Sequence, residues 1–220
     1  MDYFNIYLEN LPNLFFGLVY TIPTITYFAS VNFYLKFHKK DKLPEKKYIV
    51  NSAKNMISSS FANIFISYPL FSYFSEIESI SPVMIISGCL LIDTVEYWYH
   101  YLFHFNNFLY NRLHCVHHAP FPIDPRASFA NDDLEVLITS PVILMLMVLI
   151  KFSLLEYIIV TSLAFSATVC DHAFTSQNKF HVLHHSGDKK TNLQQPFFTF
   201  WDHINGTYNK KTLLKIPFVP

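Results

Sequence analysis

Apolar residues come in long runs separated by short polar stretches, and the run lengths set the architecture. From Asn10 to Leu35 there are 26 residues without a formal charge, and from Asn55 to Ser75 another 21. A helix that crosses a bilayer needs about 20 mostly apolar residues, so both windows reach that length. The second is diluted by Ser58, Ser59, Ser60 and Asn63. Three shorter windows follow, Ser79–Ile92, Val136–Ile150 and Tyr157–Cys170. The first of these predicts one long helix that continues through Asp93 and Glu96 into Tyr97–Phe103, and the other two flank Lys151 as a tight helical hairpin. Pro23, Pro69 and Pro141 lie inside windows, a position membrane helices tolerate better than soluble ones. Five such windows are too many for a soluble helical bundle of 220 residues. The pattern predicts an all-α integral membrane protein with four to five membrane-embedded helices.

Composition agrees. The chain is 51% apolar and 18% aromatic but only 15% charged, which excludes intrinsic disorder. Sixteen basic residues balance sixteen acidic ones, so charge points to no nucleic-acid partner. Cys89, Cys115 and Cys170 are odd in number and widely spaced, and form no visible disulfide framework. Met1–Asn10 carries Asp2 and Glu9 and no base, the reverse of a cleaved signal's positive start.

Loop charges orient the helices. Lys36, Lys39, Lys40, Lys42, Lys46 and Lys47 fall in one loop, whereas Met1–Pro12 and Ser75–Ser81 hold acids and no base. The positive-inside rule places the lysine loop in the cytosol and the Glu76/Glu78 turn outside. The third helix then returns to the cytosolic face near His100, and Asp171–Pro220 is cytosolic as well.

Every histidine thereby falls on one side. Nine of the eleven sit in four places: His100-x3-His104, His114-x2-His117-His118, His172, and His181-x2-His184-His185. At a frequency of 11 in 220, one H-x2-H-H is expected about 0.03 times in such a chain. Residues three and four apart on a helix share a face, so each cluster aims its imidazoles at one point. Imidazole is the commonest nitrogen ligand of transition metals, and nine of them exceed the needs of one four-coordinate ion. The clusters predict a two-metal cap on the cytosolic side. His38, in the lysine loop, reads as a solvated surface residue, and His203, after Asp202 near the end, is left out of the predicted ligands. Cys115 should leave its cluster on another face. Asp93 and Glu96, seven and four residues before His100, lie on roughly its face and are placed to accept the outer imidazole N–H. Tyr97, Trp98, Tyr99 and Tyr101 resemble an interfacial aromatic belt.

The string Asp93-Thr94…Tyr97-Trp98-Tyr99-His100-x3-His104…His114-x2-His117-His118, with Asp171-His172 and His181-x2-His184-His185, resembles the fatty acid hydroxylase/sterol desaturase superfamily of integral membrane di-iron enzymes. Within it, Asn192-x2-Gln195-Pro196-Phe197-Phe198-Thr199-Phe200-Trp201-Asp202 followed by Gly206-Thr207 is most similar to the sphingolipid long-chain-base 4-hydroxylases. The resemblance covers roughly 91–208. It implies N-terminal membrane helices and a basic loop over 1–80, and a hydroxylase-like catalytic domain over 81–220. It implies two iron ions on the nine clustered histidines (zinc fitting the same nitrogens), with Asp93, Glu96, Asp171, Asn192 and Asp202 behind them. It further implies O2 as oxidant, electrons from NAD(P)H through a reductase and cytochrome b5, a lipid substrate, and residence in the endoplasmic reticulum. Two departures stand out. Where relatives often carry Asn-His-Pro-x-Glu, this chain has Asn131-Asp132-Asp133-Leu134-Glu135, so that histidine's role is lost or passes to Asp132. The eight-residue link between His172 and His181 is short for the hydroxylases. A sterol methyl oxidase or sterol desaturase, an inactive zinc-binding membrane protein and a transporter are the alternative readings.

Overall fold

The computed structural model describes residues 21–36, 43–62, 65–66, 70, 80–173, 179–186 and 189–209. Among these the regular structure is helical, without a strand: α1 (Ile22–Leu35), α2 (Lys46–Ala62), α3 (Pro82–Phe105), α4 (Asn107–Arg112), α5 (Asp133–Leu149), α6 (Leu154–Ala173), α7 (Lys179–Ser186) and α8 (Phe200–Ile204). Single 3-10 turns lie at His114–Val116 and Pro125–Ala127.

Local chemistry accounts for the boundaries. Pro23 and Pro82 stand in the first turns of α1 and α3, where a missing N–H costs nothing and the fixed φ suits a helix. The expected long helix forms: α3 runs 24 residues through Asp93 and Glu96. It ends at Asn106, whose side chain accepts from the N–H groups of Phe108 and Leu109 and so opens α4. Asp132 caps α5 by accepting from Leu134 N at 2.9 Å, and Asp133 and Glu135 in the first turn complement the helix dipole. Asp132 therefore serves the helix end rather than a missing histidine. Pro141 sits inside α5. The α5–α6 hairpin turns at Lys151, at φ 63°. Just beyond, Glu156 accepts from Ser153 N and Ser81 N, tying the start of α6 to the start of α3.

α6 is the central helix. One side packs with α3 and α5 through Cys89, Ile92, Leu144, Met147, Tyr157 and Val160; the other meets α1 through Tyr27, Val31, Tyr34, Val169 and Cys170. α3 approaches α6 closely at Gly88, where an added Cβ would lie 2.7 Å from Val160 Cγ2, and 2.9 Å from Cε1 of Phe152 in the preceding turn.

α2 differs from its predicted window. It begins at Lys46, inside the lysine loop, and its buried residues are Ser52, Asn55 and Met56. These polar groups are matched: Ser52 Oγ bonds Tyr27 OH and accepts from Phe129 N, and Asn55 Nδ2 donates to Phe129 O and Asn131 O. α2 thus clamps the loop that feeds α5.

Among the described residues only α6 is long and apolar enough to cross a membrane, and most of it is buried in the protein. The predicted four to five spans are not established by the other helices. α1 and α5 have 14 and 17 described residues, and α3 is diluted by Asp93, Glu96 and its Tyr/His run. Their outer faces are nonetheless apolar: Ile25 and Phe33 on α1, Val83 and Ile86 on α3, and Leu137, Met145 and Leu149 on α5 are exposed. Residues 1–20, His38 and the Glu76/Glu78 turn lie outside the described residues.

Candidate metal centre

Four chain segments deliver imidazoles to one region. His100 and His104 occupy the last turns of α3, and His172 the last turn of α6. Both helices therefore point their partially negative C-terminal ends toward the site, which favours a cation there. His114 lies in a 3-10 turn rather than the α-helix that the spacing suggests, with His117 and His118 directly after it. In that tighter turn residues three apart eclipse, so His114 and His117 still share a side. His181, His184 and His185 are on α7.

All nine converge, and they sort into two groups. His100, His104, His114, His118 and His184 form one; His117, His172, His181 and His185 form the other, and within each the ligand atoms lie within 4.8 Å of one another. Nε2 atoms face each other in four pairs: His104–His118 at 3.1 Å, His100–His184 at 3.1 Å, His172–His181 at 3.0 Å and His117–His185 at 3.2 Å. Two nitrogens about 2.1 Å from a shared ion lie about 3.0 Å apart at a right angle and about 3.4 Å apart tetrahedrally.

The protons decide what these contacts are. His100 Nδ1 lies 2.8 Å from Leu193 O, His184 Nδ1 2.9 Å from Thr191 O, and His172 Nδ1 2.8 Å from Thr168 O. A carbonyl only accepts, so each Nδ1 carries the proton and each Nε2 is a bare lone pair. His100 and His184 thus oppose two lone pairs at 3.1 Å with no hydrogen between them. His114 repeats the pattern: Nδ1 donates to Glu135 Oε1 at 2.8 Å while its buried Nε2 has no hydrogen-bond partner. Protonation is no remedy, since burial and then the neighbouring imidazoles hold His114, His181 and His184 well below the ordinary 6.5. Converging lone pairs on neutral imidazoles fit a metal ion.

The supports behind the histidines differ from the predicted carboxylates. Asp93 is two helical turns from His100, too far along the axis to reach it, and accepts instead from Phe197 N, Phe198 N and Gln194 Nε2. Glu96 is engaged by the Tyr99 hydroxyl. The imidazole-facing carboxylate is Glu135. Its signal in the sequence was an acid opening an apolar helix, three residues after the departure at Asp132. Asp171 is buried beside His172 at the end of α6. Asn192 and Asp202 act through the backbone. Asp202 accepts from Leu193 N, Gln194 N and Thr207 Oγ1, at 2.9, 2.9 and 2.7 Å. Asn192, at φ 57°, donates to Phe180 O. Together they hold the strap 191–195 whose carbonyls orient His100 and His184, and the Gln195 amide meets His181 Nδ1. His203 stays outside, exposed and stacked on Tyr208, and Cys115 bonds Asn111 O. Tyr97 is not part of a belt: it is buried, stacks on Trp201 and bonds Thr207.

Beside the histidines lies a cavity of about 150 Å³. His100, His114 and His117 line it together with Glu96, Tyr99 and Glu135, and Met56, Val136, Ile143 and Phe165 make its apolar part.

Comparison with known proteins gives the same family from an independent direction. The yeast Saccharomyces cerevisiae sphingolipid C4-hydroxylase SUR2 is 33% identical over 146 residues, covering 60% of this chain and 42% of its own length. Sphinganine C4-monooxygenase 2 of Arabidopsis thaliana is 33% identical over 144 residues, 59% of this chain and 56% of its own. A rice protein named very-long-chain aldehyde decarbonylase GL1-9 is 29% identical over 143 residues, 57% of this chain and 54% of its own. The chain spans about half the length of the curated relatives it matches. No solved structure matches it. The family model for fatty acid hydroxylase matches residues 85–207, from the first turn of α3 to the Asp202–Thr207 support, and the chain belongs to that family.

Proposed function

We propose that this chain is a membrane-embedded, O2-dependent oxidoreductase that hydroxylates carbon 4 of a sphingoid base or dihydroceramide, with two iron ions held by the nine histidines. The opposed lone pairs of His100 and His184 carry the metal part of this reading. His100, His104, His114, His118 and His184 would hold one ion and His117, His172, His181 and His185 the other. Iron bound there would supply the activation of O2 that an unactivated C–H bond demands; zinc, which imidazole also accepts, would not. The balance is one C–H, one O2, two electrons and two protons giving C–OH and water.

The chain's own part is orientation and exclusion of water. Leu193 O, Thr191 O, Thr168 O and Glu135 fix which imidazole nitrogen faces inward. The cavity between α2, α3, α5 and α6 supports a lipid site beside the inward nitrogens, where packing would select the carbon. Apolar outer faces on α1, α3 and α5 support residence in a bilayer, which the family suggests is the endoplasmic reticulum with the metal centre toward the cytosol. Electrons would come from a separate donor such as cytochrome b5 with its reductase. Lys189 and Lys190 supply a basic face for an acidic donor: Lys189 Nζ bonds Tyr110 OH at 2.6 Å, and the Tyr110 ring lies 5.3 Å from that of His104. The names of the yeast and Arabidopsis relatives favour the sphingoid substrate, whereas the rice relative marks another branch with a different printed activity.

Lipid mass spectrometry of yeast lacking its own 4-hydroxylase and expressing this chain tests the reading. Phytosphingosine is the expected product. An oxidised sterol or an aldehyde-derived product without phytosphingosine overturns the substrate, and zinc without iron in active protein overturns the metal.

A further inference from the structure

The cavity beside the histidines is small for a lipid. At about 150 Å³ it has the volume that encloses a molecule of about six carbons, such as benzene. A lipid tail reaches across one leaflet, about half of the roughly 30 Å hydrocarbon core, so most of it must lie outside. The cavity shows where. Of the described residues lining it, His100, His114, His117 and Met56 are buried, whereas Ser140 on α5 is exposed. Ser140 follows Asp133 by two helical turns and stands on the same side of α5. Asp133 pairs with Lys54 of α2 at 2.6 Å, so that side faces α2. α2 supplies Asn55, Met56 and Ser59 to the cavity wall. The cavity therefore reaches the surface at the seam between α2 and α5. Beside this mouth the exposed residues are apolar. Leu137 lies between Asp133 and Ser140 on their side of α5; Ile57 and Phe61 share the Lys54 side of α2, with the Phe65 ring stacked on Phe61.

We infer that the α2–α5 seam is the lipid entrance: the head end goes in toward the histidines, the tail stays outside against Leu137, Ile57 and Phe61, and the protein does not measure tail length. The inference rests on the lipid-oxygenase reading above and deepens it. A cavity that takes about six carbons admits only a reaction position close to the end that enters. This suits a carbon near a polar head and excludes the middle of a long acyl tail. Ser128, Asn131 and Thr139 on the wall give such a head hydrogen-bonding partners. Tail atoms beyond the mouth exchange bilayer neighbours for the apolar outer faces of two helices, so lengthening the tail changes little.

The test uses the purified protein in lipid nanodiscs with saturated long-chain bases that differ only in tail length, and with one base carrying a diazirine in the distal half of its tail. Affinity, referred to the mole fraction of base in the bilayer, should change less than about threefold between tails of about 14 and about 20 carbons, where an enclosing pocket discriminates about tenfold for a single methylene. Photolysis should place adducts at residues 57–61 and 137–140. Ser140→Trp narrows the mouth and should weaken binding about tenfold or more at unchanged metal content. Leu149→Trp, exposed on the same helix away from the cavity, should bind as the wild type does. A steep optimum in tail length, adducts confined to the outer faces of α1 and α3, or wild-type binding by a folded Ser140→Trp overturns the inference and leaves the oxygenase reading standing. The tail series and the adducts need no variant, so a misfolded Ser140→Trp does not shelter the entrance. If the tails behave as expected but no hydroxylated product forms, the oxygenase reading fails and the entrance stands.

Discussion

If the two histidine groups each hold an ion, removing the Glu135 carboxylate should weaken one of these proposed metal positions and spare the other. His114 and Glu135 are 2% and 3% exposed, and their bond is 2.8 Å long. A bond to a charged acceptor contributes about 1.5–3 kcal/mol against about 0.5–1.5 for a neutral one. Glu135→Gln keeps the shape and loses the charge, so the difference is about 1–1.5 kcal/mol, or about tenfold in metal affinity. Glu135→Ala also strands a buried Nδ1–H, moving the loss toward about a hundredfold. His114 belongs to the group of five histidines, while His117, His172, His181 and His185 make the other. Chelator titration followed by elemental analysis should show one ion released early from Glu135→Gln and the other at its wild-type chelator concentration. Release of both ions together, or a wild-type profile, refutes the division of the histidines and the role of Glu135 in it.

Asp202→Asn should lower both thermal stability and metal content, because it turns an acceptor of Leu193 N, Gln194 N or Thr207 Oγ1 into a donor and frees the strap that orients His100 and His184. A variant with wild-type metal content and a lowered melting temperature would reduce Asp202 to a structural anchor. Gly88→Ala should destabilise by about 1–3 kcal/mol, since its Cβ meets stiff Val160 at 2.7 Å; adding Val160→Ala should restore part of the loss, and an undisturbed melting temperature in Gly88→Ala would refute the close approach. The metal-free protein should lose stability as pH falls below about 6.5. His114, His181 and His184 stay neutral in the folded state well below the 6.5 at which unfolded histidines charge. Between those values the unfolded chain binds more protons, so stability rises with pH there. Thermal unfolding from pH 5 to 8, with and without metal, checks this, and a flat metal-free profile would contradict the burial of neutral imidazoles.

What the sequence disclosed depended on whether the chemistry was local. The H-x2-H-H clusters and His100-x3-His104 need only helix or turn spacing, so eight of the nine histidines could be gathered on paper, and the isolated His172 came with the family resemblance. The α3 run and the Lys151 hairpin were equally legible, being set by apolar length. Asp93 misled because a shared helical face says nothing about axial distance, seven residues being about 10 Å, and Glu96 because the Tyr99 hydroxyl engages it instead. Glu135 reaches His114 across 21 positions, and the carbonyls of Leu193 and Thr191 reach His100 and His184 as backbone atoms that carry no sequence signature. The charge-free window Asn55–Ser75 read as a span, but α2 takes in only its first residues, starts at Lys46 and buries Ser52 and Asn55 for their hydrogen bonds to Tyr27, Phe129 and Asn131.

The same division explains why the segment around Asn192–Asp202 narrows the family more than a loop usually would. Its residues set the position of carbonyls that decide which nitrogen of His100 and His184 is bare. Asp202 fixes Leu193 N and Gln194 N, Asn192 adopts φ 57° to turn the chain, and Asp93 on α3 accepts from Phe197 N and Phe198 N. One acid on α8 and one on α3 thus clamp the two ends of a strap lying over the metal centre. The four histidine-bearing segments are helices or turns with their own backbone hydrogen bonds, whereas the strap, apart from Asn192 N donating to Thr207 O, is held by side chains. Substitutions that leave every histidine in place but alter Asn192, Asp202 or Asp93 should therefore act on metal binding through His100 and His184, in the group of five, before they act on the group of four.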